Sequence, residues 1–396
     1  MDTLNVDNTN VKVVDDLVIY EDKFLNRSKY FLCSEKRQRY VKLTYEQYVF
    51  YSNILKVFDG LHSEDDITKY LDEYTNGKIT SHDVISVLDR YNLLETSNHE
   101  VTTKVEIELS SRKLLEFRLE KVQEKCKNVF NLIYYAICLI SIIAILHTIG
   151  LLVFNQQDFN LLQDGANGFS WSDVGIGDFF CIIGFMWLST TIHEMGHLLM
   201  ANHHNIKWKT ITVGLLWGIN PIYYIKYYNM YMHPSKVRIK VLLSGMFLNI
   251  VQACIAFNIL YYTDNWYAVV IIIINIGTFI STLLPLGTTD GYHVVTIILG
   301  QEGIRWKTLT GISKMIKNPG YIKDFIHSKT NVVMLCYIII SYTFGLLGCY
   351  QVIKSVIQYF GIFHINSKYI ILGVSIIGGL IVLTYIRKLY KRLRNL

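Results

Sequence analysis

Two histidines and a glutamate stand within residues 191–199 at a spacing that suits metal-dependent hydrolysis. Because residues four apart share one face of a helix, His193 and His197 can present two imidazole nitrogens to one tetrahedral zinc ion. Glu194 lies beside them, close enough to take a proton from an attacking water and to pass it to a leaving amine. The pattern therefore predicts a zinc centre with a general base.

The residues around this group are those of a membrane segment. Nearly every position from 179 to 200 is apolar or small, and only His193, Glu194 and His197 interrupt the run. Ionisable side chains are costly inside a bilayer and usually serve a function there. This location favours a metal site over the alternative, a pair of packed core histidines.

Composition narrows the class of protein. The chain has 396 residues, 51% of them hydrophobic, and a formal net charge of +6. It is too apolar for a soluble enzyme, and its first part is too charged for a membrane bundle alone. The basic residues cluster beside apolar segments, so we interpret them as topology signals and expect no nucleic-acid partner. The seven cysteines form no CxxC pair and are expected to be core thiols.

Residues 1–110 have the periodicities of a small α+β domain. Strands are predicted at 11–14, 17–20 and 40–43, followed by three helices whose caps are Thr44, Ser63 and Ser81. The acidic start of the chain lacks a signal-peptide pattern, so we expect this domain in the cytoplasm. Strands that lead to three helices suggest a winged-helix-like module.

This order of elements resembles the PqqD-like leader-recognition domains over about residues 28–96. The resemblance implies that a leader peptide docks as an extra strand on the edge of the small sheet. The alternative is a cytosolic cap domain with no peptide partner.

A charged connector at 111–128, predicted to be helical, leads into apolar segments of bilayer length. Six spans are predicted, at 129–154, 177–201, 237–262, 266–286, 332–357 and 368–387. Basic residues fill alternate connections, including a cytosolic loop at 301–331 and the tail that ends the C-terminal region 332–396. By the positive-inside rule, this alternation predicts a multi-pass cell-membrane protein with both termini cytoplasmic.

Asp290 follows the fourth predicted span. The second and fourth spans both run toward the cytoplasm, so Asp290 is expected at the membrane depth of His193 and His197. A carboxylate can complete a two-histidine site there. The alternative for the pair Asp290 and Gly291 is a simple turn where the helix leaves the membrane.

The order of these motifs resembles the site-two protease family of intramembrane zinc metalloproteases over about residues 129–300. The resemblance rests on the histidine motif, on Pro285 followed by Asp290 and Gly291, and on residues 244–249 of the third span. Met246 replaces the usual proline of that last segment. Thr282 and Leu284 stand where the family commonly has asparagine.

The resemblance implies zinc ligation by His193, His197 and Asp290, with Glu194 as the general base. It implies further that Gly245 lets the third span approach the zinc helix and that Asn249 hydrogen-bonds the substrate backbone. For both residues the alternative is ordinary helix packing. A hairpin near 210–225 would border the substrate path, and the alternative there is a surface helix pair.

We therefore expect a polytopic α-helical membrane protein with a small N-terminal α+β domain. Its expected activity is that of a zinc endopeptidase that removes the leader of a ribosomally made peptide, as in bacteriocin maturation. One alternative is a regulated intramembrane protease that acts on a membrane-anchored signalling protein. The other is a non-catalytic component that binds peptide for export or immunity.

Overall fold

The computed structural model describes most of the chain between residues 11 and 347. Some residues within this range are not described, namely 26, 35–36, 38, 97–110, 155–174, 217–219, 228–229, 285–288, 301–303, 319, 329–330, 338, 341–342 and 345–346. The chain divides into two compact units, Met1–Tyr134 with Leu198–Val241 and Tyr135–His197 with Leu242–Leu396. Pro285, the sixth predicted span and most of the fifth lie outside the described residues.

A small antiparallel sheet opens the first unit. Its strands, in the order β1-β2-β3, are Leu17–Phe24, Arg27–Ser34 and Arg39–Leu43. The predictions at 17–20 and 40–43 are confirmed, whereas β2 was not predicted. The strand prediction at 11–14 is wrong, because Lys12 and Val13 form only isolated bridges.

Three helices follow the sheet: α1 (Tyr45–Ile54), α2 (Glu64–Thr75) and α3 (Ser81–Arg90). Thr44 and Ser63 cap the first two through reciprocal capping boxes, as predicted. The third cap is Thr80 rather than Ser81, because the Thr80 hydroxyl accepts from the Asp83 amide and Ser81 is already helical. Apolar faces of all three helices pack on the sheet around fully buried Ile54, Phe58, Ile67, Leu71, Leu88 and Leu93.

A second three-stranded sheet also belongs to the first unit. The strands are β4 (Ser111–Arg118), β5 (Trp208–Leu216) and β6 (Asn220–Tyr227), and their order is β4-β5-β6. The predicted hairpin near 210–225 is confirmed as β5 and β6. The prediction of a helical connector is wrong at its start, because β4 pairs with β5 about 100 residues later in the chain.

Long helices make up most of the remaining described chain: α4 (Glu120–Phe154), α5 (Ile176–His203), α6 (Ser235–Thr263) and α7 (Trp266–Leu283). Within the described residues, α4, α6 and α7 are long and apolar enough to cross a membrane. The shorter helices are α8 (Asp290–Leu299), α9 (Ile304–Lys317) and α10 (Tyr321–His327). The connection predicted as a basic loop therefore contains two helices.

A buried carboxylate joins the first sheet to the beginning of α6. Asp22 of β1 is 3% exposed and accepts hydrogen bonds from the Ser235 backbone N–H at 3.1 Å and from the Ser235 hydroxyl at 2.6 Å. Arg238 donates from Nη2 to the same carboxylate at 3.2 Å. The negative charge thus meets both a guanidinium and the positive end of a helix dipole.

Candidate metal centre

The histidine pair lies on α5, one helical turn apart and facing the same way. His193 and His197 are 4% and 6% exposed, respectively, so both imidazoles are withdrawn from solvent. Their Nε2 atoms are 3.1 Å apart. The four-residue spacing in the sequence therefore places two potential ligand atoms side by side, as helical geometry requires.

Asp290 brings a carboxylate to the same point from the first residue of α8. The Thr289 side chain accepts from the Tyr292 amide and fixes the helix start. Oδ2 of Asp290 lies 3.0 Å from Nε2 of His193 and 3.1 Å from Nε2 of His197. A single carboxylate oxygen and two ring nitrogens thus form a nearly equilateral triangle.

The triangle has the dimensions of a tetrahedral metal site. Ligand bonds of about 2.05 Å at tetrahedral angles separate neighbouring ligand atoms by about 3.3 Å. The observed separations of 3.0 to 3.1 Å are close to that value. Three protein ligands would also leave a fourth position open, which is the arrangement of catalytic rather than structural zinc sites. The residues therefore fit a metal ion.

Close helix approach depends on glycines beside the triangle. A Cβ atom on Gly245 of α6 would lie 2.5 Å from Nε2 of His197 and 2.7 Å from Nε2 of His193. A Cβ atom on Gly196 of α5 would lie 2.7 Å from the Ser244 carbonyl oxygen. Both distances are shorter than van der Waals contact, so α5 and α6 can meet here only without these side chains.

Gly291 has the same effect at the third ligand. A Cβ atom there would overlap the carbonyl oxygen of Leu283 at the end of α7. The glycine after Asp290 therefore allows the start of α8 to lie directly against the preceding helix. This packing restricts the position of the Asp290 carboxylate.

Asn249 lies one turn beyond Gly245 on α6 and is completely buried. Its amide Nδ2 lies 3.0 Å from Nδ1 of His193, the ring nitrogen that does not face Asp290. Its Oδ1 has no hydrogen-bond partner among the described residues. Asn249 thus contacts the candidate ligand His193 on the side of the ring that faces away from Asp290.

Glu194 follows His193 directly on α5 and is half-buried. Its carboxylate lies within the electrostatic influence of His193, His197 and Asp290. A carboxylate near candidate metal ligands has the chemistry of a general base.

A further buried contact fixes the helix that carries the histidines. Ser189 of α5 donates its hydroxyl to Oδ1 of Asn275 at 2.7 Å, and Asn275 of α7 is completely buried. Sequence reasoning missed this pair. The signal that could have found it is an amide in the middle of an apolar helix, together with a serine four residues before His193.

Comparison of the chain with protein-family models, with curated proteins and with solved structures gives no match.

Proposed function

We propose that the chain is a membrane-embedded zinc endopeptidase of the site-two protease type. The observation that carries the proposal is the convergence of His193 and His197 of α5 with Asp290 of α8, whose ligand atoms lie 3.0 to 3.1 Å apart although Asp290 is at least 93 residues from either histidine in the sequence. Two nitrogens and one oxygen suit zinc better than calcium or magnesium, which prefer oxygen ligands.

The roles of the residues follow from this arrangement. A bound zinc ion supplies a Lewis acid that polarises a carbonyl and lowers the pKa of water. Glu194 accepts a proton from the attacking water while the oxygen of that water bonds to the peptide carbonyl carbon. Glu194 then donates that proton to the amide nitrogen as the carbon–nitrogen bond breaks, so one carboxylate serves both steps.

Membrane association is supported by the surface of the candidate spans. The helix α4 exposes large apolar side chains along its length, including Leu132, Leu139, Ile143 and Leu146. Continuous apolar surface of this extent is unfavourable in water and suits a lipid environment. We extend the three candidate spans to six and place both termini in the cytoplasm by the distribution of basic residues.

The substrate class that we propose is a ribosomally made peptide with a leader. In the first sheet β3 pairs only with β2 among the described strands, so its outer edge can accept one more strand. An extended leader could bind there through main-chain hydrogen bonds. Such a domain would recruit soluble precursors to a membrane enzyme.

The test is cleavage of a peptide library by the purified full-length protein in detergent micelles, read by mass spectrometry. We expect zinc-dependent cleavage that Glu194→Gln lowers by roughly 100-fold or more, because the substitution removes the general base and leaves the ligands. Glu64→Gln, a matched change at an exposed helix start, should leave cleavage unchanged.

Three outcomes would contradict the proposal in whole or in part. Equal cleavage by wild type and Glu194→Gln would assign the activity to another site or to a contaminant. Zinc binding without cleavage of any library member or membrane-inserted peptide would favour the non-catalytic alternative. Cleavage confined to membrane-inserted peptides would favour the alternative in which the substrate is a membrane-anchored signalling protein.

A further inference from the structure

The contact between Asn249 and His193 lies behind the candidate metal centre rather than in it. His193 directs Nε2 toward Asp290 and Nδ1 toward the Asn249 amide, each at 3.0 Å. Both His193 and Asn249 are buried, at 4% and 0% exposure. The hydrogen bond between the amide and Nδ1 is therefore coupled to which ring nitrogen carries the proton.

A neutral imidazole has one N–H donor and one lone-pair acceptor. If Nε2 binds a metal ion, its lone pair is used, and the proton must be on Nδ1. The group that faces Nδ1 must then be an acceptor. Of the two amide atoms of Asn249, only Oδ1 can accept a hydrogen bond.

We propose, on the basis of the proposed zinc site, that Asn249 is the positioning residue for His193: its Oδ1 accepts from Nδ1–H and holds the ring for ligation through Nε2. Oδ1 is buried and has no hydrogen-bond partner among the described residues, and a half-turn of the amide brings it to the place that Nδ2 occupies. The two amide atoms are nearly the same size, so the exchange requires no repacking.

This role differs from the one that the family resemblance implies. A side chain that binds the substrate backbone affects cleavage and leaves the metal affinity unchanged. A side chain that orients a ligand affects the metal affinity with no substrate present, typically by 10- to 100-fold. Zinc affinity therefore separates the two roles.

The experiment measures the zinc affinity of the full-length protein in detergent by competition with a chelator of known affinity. We expect Asn249→Ala to bind zinc about 10- to 100-fold more weakly than wild type. Asn249→Asp should remain within a few-fold of wild type, because a carboxylate also accepts from Nδ1–H. Asn249→Leu, which preserves volume without an acceptor, carries the test if the alanine variant does not fold.

Asn258→Ala is the matched control. Asn258 lies on the same helix and also makes an amide–imidazole contact. Its Oδ1 lies 2.8 Å from Nδ1 of His147, a histidine outside the ligand triangle. Loss of the Asn258 amide should leave the zinc affinity unchanged. Wild-type affinity in both Asn249→Ala and Asn249→Leu would overturn the positioning role and leave the proposed protease intact. A wild type that binds no zinc would overturn the proposed function itself, together with this inference.

Discussion

Asp22, which is buried, and Asp290, which is half-buried, both lie beside nitrogen-bearing side chains, and they differ in what faces them. Asp22 meets a backbone N–H, a hydroxyl and a guanidinium, each of which brings its own proton. Asp290 meets two imidazole nitrogens, each of which can hold either a proton or a lone pair. The groups around Asp22 are all proton donors, whereas the two nitrogens beside Asp290 can also bind a cation through their lone pairs.

The difference distinguishes an ion pair that stabilises the fold from a candidate ligand site. Arg238 is permanently charged, so the Asp22 cluster already contains its own cation. The two Nε2 atoms beside Asp290 lie 3.1 Å from each other, a separation that suits a shared metal ion. Charge alone would not have separated these clusters, but the chemistry of the facing atoms does.

The largest expected effect comes from Gly245→Ala, which should damage the Asp290 cluster alone. The new methyl group would lie 2.5 Å from Nε2 of His197, so it must displace a ligand. We expect zinc affinity to fall on the order of 100-fold, measured by chelator competition. Gly277→Ala is the control, because a Cβ atom there meets nothing within 4 Å. Wild-type affinity in Gly245→Ala would mean that the ligand triangle is not where zinc binds.

A smaller effect, on stability, is expected from Asp22→Ala. Removing one partner of a buried, hydrogen-bonded ion pair typically costs about 3–5 kcal/mol. Thermal unfolding of the full-length protein, with hydrogen exchange of β1 and the first turn of α6, measures the loss.

Glu21→Ala supplies the matched change for this prediction. Glu21 is the neighbour of Asp22 on the same strand, and its partner Lys23 is 75% exposed. The Glu21 side chain is itself 26% exposed, and an ion pair at the surface contributes about 0–1 kcal/mol. Equal destabilisation by the two substitutions would refute the distinction between the buried cluster and its surroundings.

The smallest expected effect concerns exposed carboxylates. Hydrogen bonds from the Ser63 hydroxyl and amide lower the pKa of Asp66, and those from Thr80 lower the pKa of Asp83. A carboxylate whose pKa is lowered by folding stabilises the folded state at pH values above its ordinary pKa of 3.8. This stabilisation is lost as the pH falls through the lower pKa of the folded state. The double variant Asp66→Asn, Asp83→Asn should therefore lower the unfolding temperature more at pH 6 than at pH 3. An equal decrease in the unfolding temperature at pH 6 and at pH 3 would show that the stabilisation does not come from the lowered pKa values.

Features set by neighbouring residues were predictable from the sequence. Thr44 and Ser63 cap their helices because each cap needs only a residue three positions later. The assignment failed by one position at Thr80, where two adjacent hydroxyl residues compete for the cap. The apolar runs of α4, α6 and α7 were equally clear, because length and composition alone identify such helices.

Features set by distant residues were not predictable in the same way. The strand β4 has a pattern compatible with a charged connector, and only its pairing with β5 makes it a strand. Asp290 was placed beside the histidines by membrane depth, which gives proximity but no distances. The contact of Asn249 with His193 depends on the rotation of α6 against α5, and no pattern of single residues encodes it.

The metal centre is tested most simply by the zinc content of the purified full-length protein in detergent, compared with His193→Ala and Asp290→Ala. We expect close to one zinc ion per wild-type chain and loss of zinc in both variants, with helical content preserved. Retention of zinc by Asp290→Ala would remove the third ligand. A folded wild type without zinc would contradict the metal centre.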